Sequence, residues 1–194
     1  MDDKYIYKLP APFQFAGEEF TEIDLGRIRE LTGADLCRAE LQALNFEPNR
    51  VSLTEDMNFF CSLMNIITGK AEAMWQEMPA TTAQDLYGYI QRELLFGAED
   101  GEEEINPPDA DKLNTRVLCR AQAMLTAQEA KDCDIKYALM VYAHTAGVEP
   151  KAVLTGGMDR AWKIFWVMRM LFFVQRRAAG SASSPEASGE PVSA

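Results

Sequence analysis

Glu30-Leu31-Thr32-Gly33-Ala34-Asp35-Leu36 decides how this chain is read. Thr32 stands where an N-cap hydroxyl accepts a hydrogen bond from the amide three residues on, and Asp35 stands where its carboxylate can reach back to the Thr32 amide. The reciprocal partner is usually Glu or Gln, so Asp makes a shorter-armed version of the capping box. Leu31 and Leu36 flank the cap at the spacing of a hydrophobic staple. Loss of such a cap costs about 0.5–2 kcal/mol. The stretch therefore opens a helix over residues 33–44, with Cys37, Leu41 and Leu44 on one stripe and Leu36, Ala39 and Ala43 beside it. A related phrase returns at Met124-Leu125-Thr126-Ala127-Gln128-Glu129.

Upstream, Tyr5-Ile6-Tyr7-Lys8-Leu9 is rich in β-formers and ends at Pro10. Phe13 and Phe15 alternate with Gln14, Ala16-Gly17-Glu18-Glu19 reads as a turn, and Phe20-Thr21-Glu22-Ile23 leads away from it. The pattern predicts a β-hairpin. A lone hairpin is marginal in water, so its phenylalanines must pack on a helix or on another subunit.

Downstream, Asn45 to Arg50, with Pro48, is a break, and Ser52-Leu53-Thr54-Glu55 has capping-box spacing. Leu53, Met57, Phe60, Cys61, Met64 and Ile67 recur at helical steps until Thr68-Gly69 supplies a stop. Ala71, Met74, Trp75 and Met78 form one side of a short amphipathic piece halted by Pro79. A cap pattern over residues 82–85 predicts a helix carrying Leu86, Tyr89, Ile90 and Leu94, closed at Phe96-Gly97. Glu99, Asp100, Glu102, Glu103 and Glu104, followed by Pro107-Pro108, read as a solvated linker or as a docking strip for a basic surface.

Beyond it, Leu113, Val117, Ala121 and Met124 form a helical stripe. The longer helix expected after Thr126 is apolar on two faces, one with Ala130, Cys133, Tyr137, Met140, Val141 and His144 and one with Ile135, Leu139 and Tyr142, so it must be sandwiched. Gly147 ends it, and Pro150 starts a brief turn. The last helix runs from Met158 to about Arg177 and carries more aromatic and methionine surface than one stripe needs. The expectation is a mainly α protein in which an N-terminal β-hairpin is followed by a helical bundle of two related units. The boundaries are 1–97 for hairpin and first unit, 98–112 for the linker, 113–177 for the second unit and 178–194 for a disordered tail of Ser, Ala, Gly, Pro and Glu.

With 194 residues the chain can bury a real core, and its net charge of -11 opposes a nucleic-acid partner, which needs clustered cations. The most apolar stretch, residues 158–174, is broken by Asp159, Arg160, Lys163 and Arg169, which argues against a membrane span. The acidic start lacks the apolar run of a secretory signal, so a cytoplasmic location is expected. Cys37, Cys61, Cys119 and Cys133 show no CxxC spacing and read as small core residues. His144 is the one histidine and has no nucleophile motif nearby. No catalytic, cofactor-binding or metal-ligating residues are assigned, and an enzyme is not expected. The residues nominated to meet a partner are Met74, Trp75, Met78, Trp162, Phe165 and Trp166, because methionine and aromatic side chains suit adaptable interfaces.

From Leu9 to about Phe96 the chain resembles the tail assembly chaperones of long-tailed bacteriophages and prophages. The residues that carry the resemblance are Leu9-Pro10-Ala11-Pro12, the hairpin over 13–23, residues 25–40 with Leu31-Thr32-Gly33-Ala34-Asp35-Leu36 at their centre, the helix over 57–69 and the region 75–94. The resemblance implies a holdase for the tape measure protein that assists tail tube protein to polymerise around it, that is absent from the finished virion, and that takes no cofactor. It also implies a homo-oligomer as an option and, in many members, a longer frameshifted form. The competing classes are a non-enzymatic helical adaptor or regulatory protein, a minor structural tail protein and, last, a DNA-binding regulator.

Overall fold

The computed structural model describes residues 3–44, 56–96, 105–127, 129 and 133–181, with side chains up to Phe172. The fold is mainly α with an N-terminal antiparallel hairpin. Strand β1 is Ile6–Phe15 and β2 is Glu18–Asp24. The helices are α1 Gly33–Leu44, α2 Met57–Thr68, α3 Glu72–Gln76, α4 Ala80–Tyr89, α5 Thr115–Ala123, α6 Asp134–Ala146, α7 Pro150–Thr155 and α8 Met158–Ser181. A π-helical turn, Ile90–Leu95, continues α4.

The hairpin closes through Ala16 and Gly17, both at positive φ (51° and 84°), the pairing that matches the right-handed twist of the strands. Pro10 does not end β1, as the sequence suggested. Lys8 pairs with Glu22 and Phe13 with Phe20, so Leu9, Pro10, Ala11 and Pro12 lie opposite Thr21 alone. The prolines cannot donate to a ladder, and the irregularity falls on the segment that holds them. The hairpin's base is fixed to the helices. The Leu25 amide donates to the Tyr5 carbonyl at 2.7 Å, the Tyr89 hydroxyl donates to the Lys4 carbonyl, and Tyr7 packs on Tyr89 with ring centroids 5.3 Å apart.

The capping box forms as read. The Thr32 amide donates to Asp35 Oδ2 at 2.9 Å, and Thr32 Oγ1 accepts from the Asp35 amide at 3.4 Å. The Thr126–Glu129 box forms likewise, at 2.8 and 3.3 Å. Helix α2 is capped by Asp56, whose carboxylate accepts from the amides of Asn58 and Phe59. The Ser52 box lies outside the described residues. Helix α4 starts at Ala80 rather than after Thr82, with Pro79 in extended backbone (ψ 132°) as the residue before its first turn. Gly69 and Gly147 end α2 and α6 at φ 71° and 70°. Helix α8 runs through Ala178 and Ala179 to Ser181, so the first residues assigned to the tail are helical.

The two halves do not build separate cores. A single buried apolar cluster runs from Tyr5 to Met168. Helix α1 packs against α2 and also against α6, α7 and α8 of the second half. Phe59 of α2 stacks on Trp162 of α8, with planes 7° apart and centroids at 6.0 Å. The Gly33 amide donates to the Gly156 carbonyl at 2.9 Å, and the Met158 amide donates to the Leu31 carbonyl at 3.0 Å, so α1 and α8 start from one shared backbone bridge. Glu40 of α1 is fully buried, and its carboxylate accepts from the amides of Asp134 (2.8 Å) and Ile135 (2.9 Å) at the start of α6. A negative charge there satisfies open helix donors and complements the helix dipole.

Gly33 is the tightest point of this joint. A Cβ there would lie 2.9 Å from the Val153 carbonyl oxygen and 3.0 Å from Ala161 Cβ. Alanine gains up to about 1 kcal/mol over glycine within a helix, but overpacking against fixed backbone costs about 1–3 kcal/mol. Gly33→Ala is therefore expected to lower the urea midpoint of unfolding; a midpoint equal to or above wild type would show that α1 and α8 can separate without loss.

Candidate interaction surface

Five of the six residues nominated from sequence are not on the surface. Trp75 is 2% exposed and Trp162 fully buried, and Met74, Met78 and Phe165 are buried with them. Trp75 meets the edge of Phe60 from α2, with centroids 6.4 Å apart. Trp162 contacts Phe59, Phe96, Phe165 and Trp166. The density of large side chains on α8 has a plain cause: the helix packs against α1, α6 and the π-helical turn, so it needs more than one apolar face. These five side chains are the chain's own core, which corrects their assignment as partner contacts. Trp166 alone of the six is half-buried.

What reaches the surface is a different set. Phe96 is 42% exposed and Met170 is 56% exposed. Phe96 lies against Trp166 with ring centroids 6.0 Å apart. The π-helical turn delivers it there, since Leu94 and Leu95 are both buried and Phe96 follows them directly over α8. Met170 is one helical step of four from Trp166, so the two are neighbours on α8. The Arg169 guanidinium lies over the Trp166 ring at 5.1 Å from its centroid. Phe172, half-buried, stacks on Tyr137 of α6. Met124, at 47% exposure, lies beyond the end of α5.

The sequence held a signal for Met170. Trp162, Trp166 and Met170 follow at steps of four, and the stripe outruns the elements that cover its beginning. Nothing comparable marks Phe96, whose position depends on the π-helical turn.

The charge is unevenly placed. Helix α8 carries Arg160, Lys163, Arg169, Arg176 and Arg177 against Asp159, a net +4 in a chain whose total is -11. Phe96, which lies on another element, is followed in the sequence by Glu99, Asp100, Glu102, Glu103 and Glu104.

Cys37, Cys61 and Cys133 are buried and Cys119 is exposed, which corrects its reading as a core residue. Burial, with Glu40 nearby as a smaller cause, pushes the Cys37 thiol well above the ordinary thiol range. Burial, then the charges of Glu72 and Asp56, push Cys61 up to about 11. The Nε2 of His144 is buried and finds no hydrogen-bond partner among the described residues. Among those residues no group of three or more His, Cys, Asp or Glu side chains is arranged to hold a metal ion. No described helix is long and apolar enough to cross a membrane.

Comparison with protein-family models, with curated proteins and with solved structures found no match.

Two outcomes check this map. Met170→Asp should leave unfolding stability within about 0.5 kcal/mol of wild type, as surface changes do, whereas Trp75→Asp should abolish cooperative unfolding by placing a charge in the core. In the folded protein a thiol reagent should modify Cys119 rapidly and the other three cysteines only on unfolding. Rapid modification of Cys37 or Cys61, read by mass spectrometry, would contradict the burial described.

Proposed function

We propose that this chain is a tail assembly chaperone of a long-tailed bacteriophage or prophage. On this reading it is a non-catalytic holdase in the bacterial cytoplasm. It binds the tape measure protein, keeps it soluble, and assists tail tube protein to assemble around it.

The observation that carries the reading is the resemblance over residues 9–96, centred on Leu31-Thr32-Gly33-Ala34-Asp35-Leu36. Each of those residues but Ala34 has a definable physical task in the fold. Leu31 and Leu36 are buried, Thr32 and Asp35 cap α1, and Gly33 admits α7 and α8.

The physical character of the molecule supports a holdase. An exposed phenylalanine and methionine beside a half-buried tryptophan offer an adaptable apolar contact. The net charge of -11 keeps a complex with a sticky client in solution.

Coexpression is the direct test. With the tape measure protein of the same tail gene cluster, wild type is expected to raise the client's soluble fraction several-fold, and Trp166→Asp to reduce that gain. A soluble fraction indifferent to the presence of this chain would refute the holdase reading. Recovery of the chain from purified particles would move it to the minor structural proteins of the tail.

A further inference from the structure

We infer that the outer border of β2 takes up an extended, lysine- or arginine-bearing segment of a partner protein as a third strand. This goes beyond the chaperone reading and does not depend on it.

The first observation is the backbone. The sheet has two strands, so β2 has a neighbour on one side only. Along an antiparallel ladder, residues that bond to the partner strand alternate with residues whose N–H and C=O groups point away from it. At the base of the hairpin the Leu25 amide bonds inward to Tyr5. The register continues with Asp24 opposite Ile6, Ile23 opposite Tyr7 and Glu22 opposite Lys8, so Asp24 and Glu22 turn their backbone groups outward. At the tip, Phe15 and Glu18 flank the two-residue loop as a bonded pair, so Glu19 turns outward as well. Among the described residues no hydrogen bond takes up the amides of Glu19, Glu22 and Asp24. Strand β1 carries Pro10 and Pro12, so β2 is the border with donors to offer.

The second observation is charge. The charged residues of β2 are Glu18, Glu19, Glu22 and Asp24, all carboxylates and all exposed. Lys70 meets Glu18 at 3.7 Å, and Gln14 donates to Glu19. Glu22 and Asp24 form no ion pair among the described residues, although Lys8 stands across the ladder from Glu22. Glu22 and Asp24 are two apart and share one face of the ribbon, while Ile23 between them points to the core. A strand laid along this border sets its side chains about 5 Å from those of β2. Lysine or arginine at alternate positions then meets Glu22 and Asp24, and a β-branched residue between them falls on the side of Ile23. The net charge of -11 draws such a segment in from a distance, and main-chain hydrogen bonds then fix it to the border.

The test uses the full chain and three short fluorescein-labelled peptides. One alternates lysine and valine, the second has glutamate in place of lysine, and the third is the lysine peptide methylated at alternate backbone nitrogens. By anisotropy titration at low salt, the lysine peptide is expected to bind about tenfold more tightly than either of the others. Glu22→Lys should weaken the lysine peptide by about tenfold, and Glu22→Gln by less. Amide exchange at Glu19, Glu22 and Asp24, followed by NMR, should slow when the lysine peptide binds. Equal binding of the lysine and glutamate peptides would overturn the inference. So would equal binding of the methylated peptide, which keeps the charge and lacks the donors. Unchanged affinity in Glu22→Lys or Glu22→Gln, in a protein that melts like wild type, would overturn it as well. A dimer in sedimentation that the lysine peptide dissolves would assign the border to a second copy and count against a foreign strand.

The two proposals fail separately. If wild type solubilises the tape measure protein while the lysine peptide binds no better than its controls, the chaperone reading stands and the border is not a docking site. If the client's solubility is indifferent to this chain while the lysine peptide binds in a Glu22-dependent way, the border stands and the chaperone reading falls.

Discussion

The close approach at Gly33 is the constraint from which the rest of the fold follows. The first residue of α1 lies against the end of α7 and the first turn of α8 with no room for a methyl group. Two backbone hydrogen bonds, from Gly33 to Gly156 and from Met158 to Leu31, hold the contact in register. Once α1 and α8 begin at one point, Leu36, Ala39 and Ala43 of α1 enter the same core as Trp162, Phe165 and Met168 of α8. The capping box acts in the same place. It satisfies the amides of Thr32 and Asp35 just where the chain must turn into the helix.

Glu40 makes the second joint, and by different physics. A carboxylate removed from water is costly unless its oxygens are matched, and here two open amides of α6 match them. The pairing is directional where apolar burial is not, so it fixes how α6 is placed on α1 as well as that it is placed there. Between them, the glycine contact and the carboxylate cap join the helices of the two halves into one body.

Local features were legible in the sequence because local chemistry decides them. The bounds of α1, both capping boxes, the glycine stops at Gly69 and Gly147 and the proline start at Pro150 all depend on residues within a turn or two. Long-range features were not. Glu40 in a helical pattern reads as a solvated charge, and its partners lie some ninety residues away at Asp134 and Ile135. Trp75 and Trp162 were nominated as contacts because their side chains suit an interface as well as a core, and only the packing of α2 and α8 tells which. Composition misled at the last helix, where Ala178 and Ala179 were grouped with a polar tail although alanine is the strongest helix former. The widened turn that ends α4 left no trace in the spacing of its apolar residues, and Phe96 was missed with it.

The prolines opposite Thr21 bear on what the hairpin cannot become. A two-strand ribbon has two open borders, each a template for further strands. Along β1, Pro10 and Pro12 lack the donors that another strand would need. Along β2, Glu18, Glu19, Glu22 and Asp24 would meet the same acidic strand of a second molecule if two copies paired side by side. The ribbon is thus closed to lateral growth on one border by missing hydrogens and on the other by like charge, and the molecule can hold open greasy surface elsewhere without nucleating a cross-β aggregate of its own.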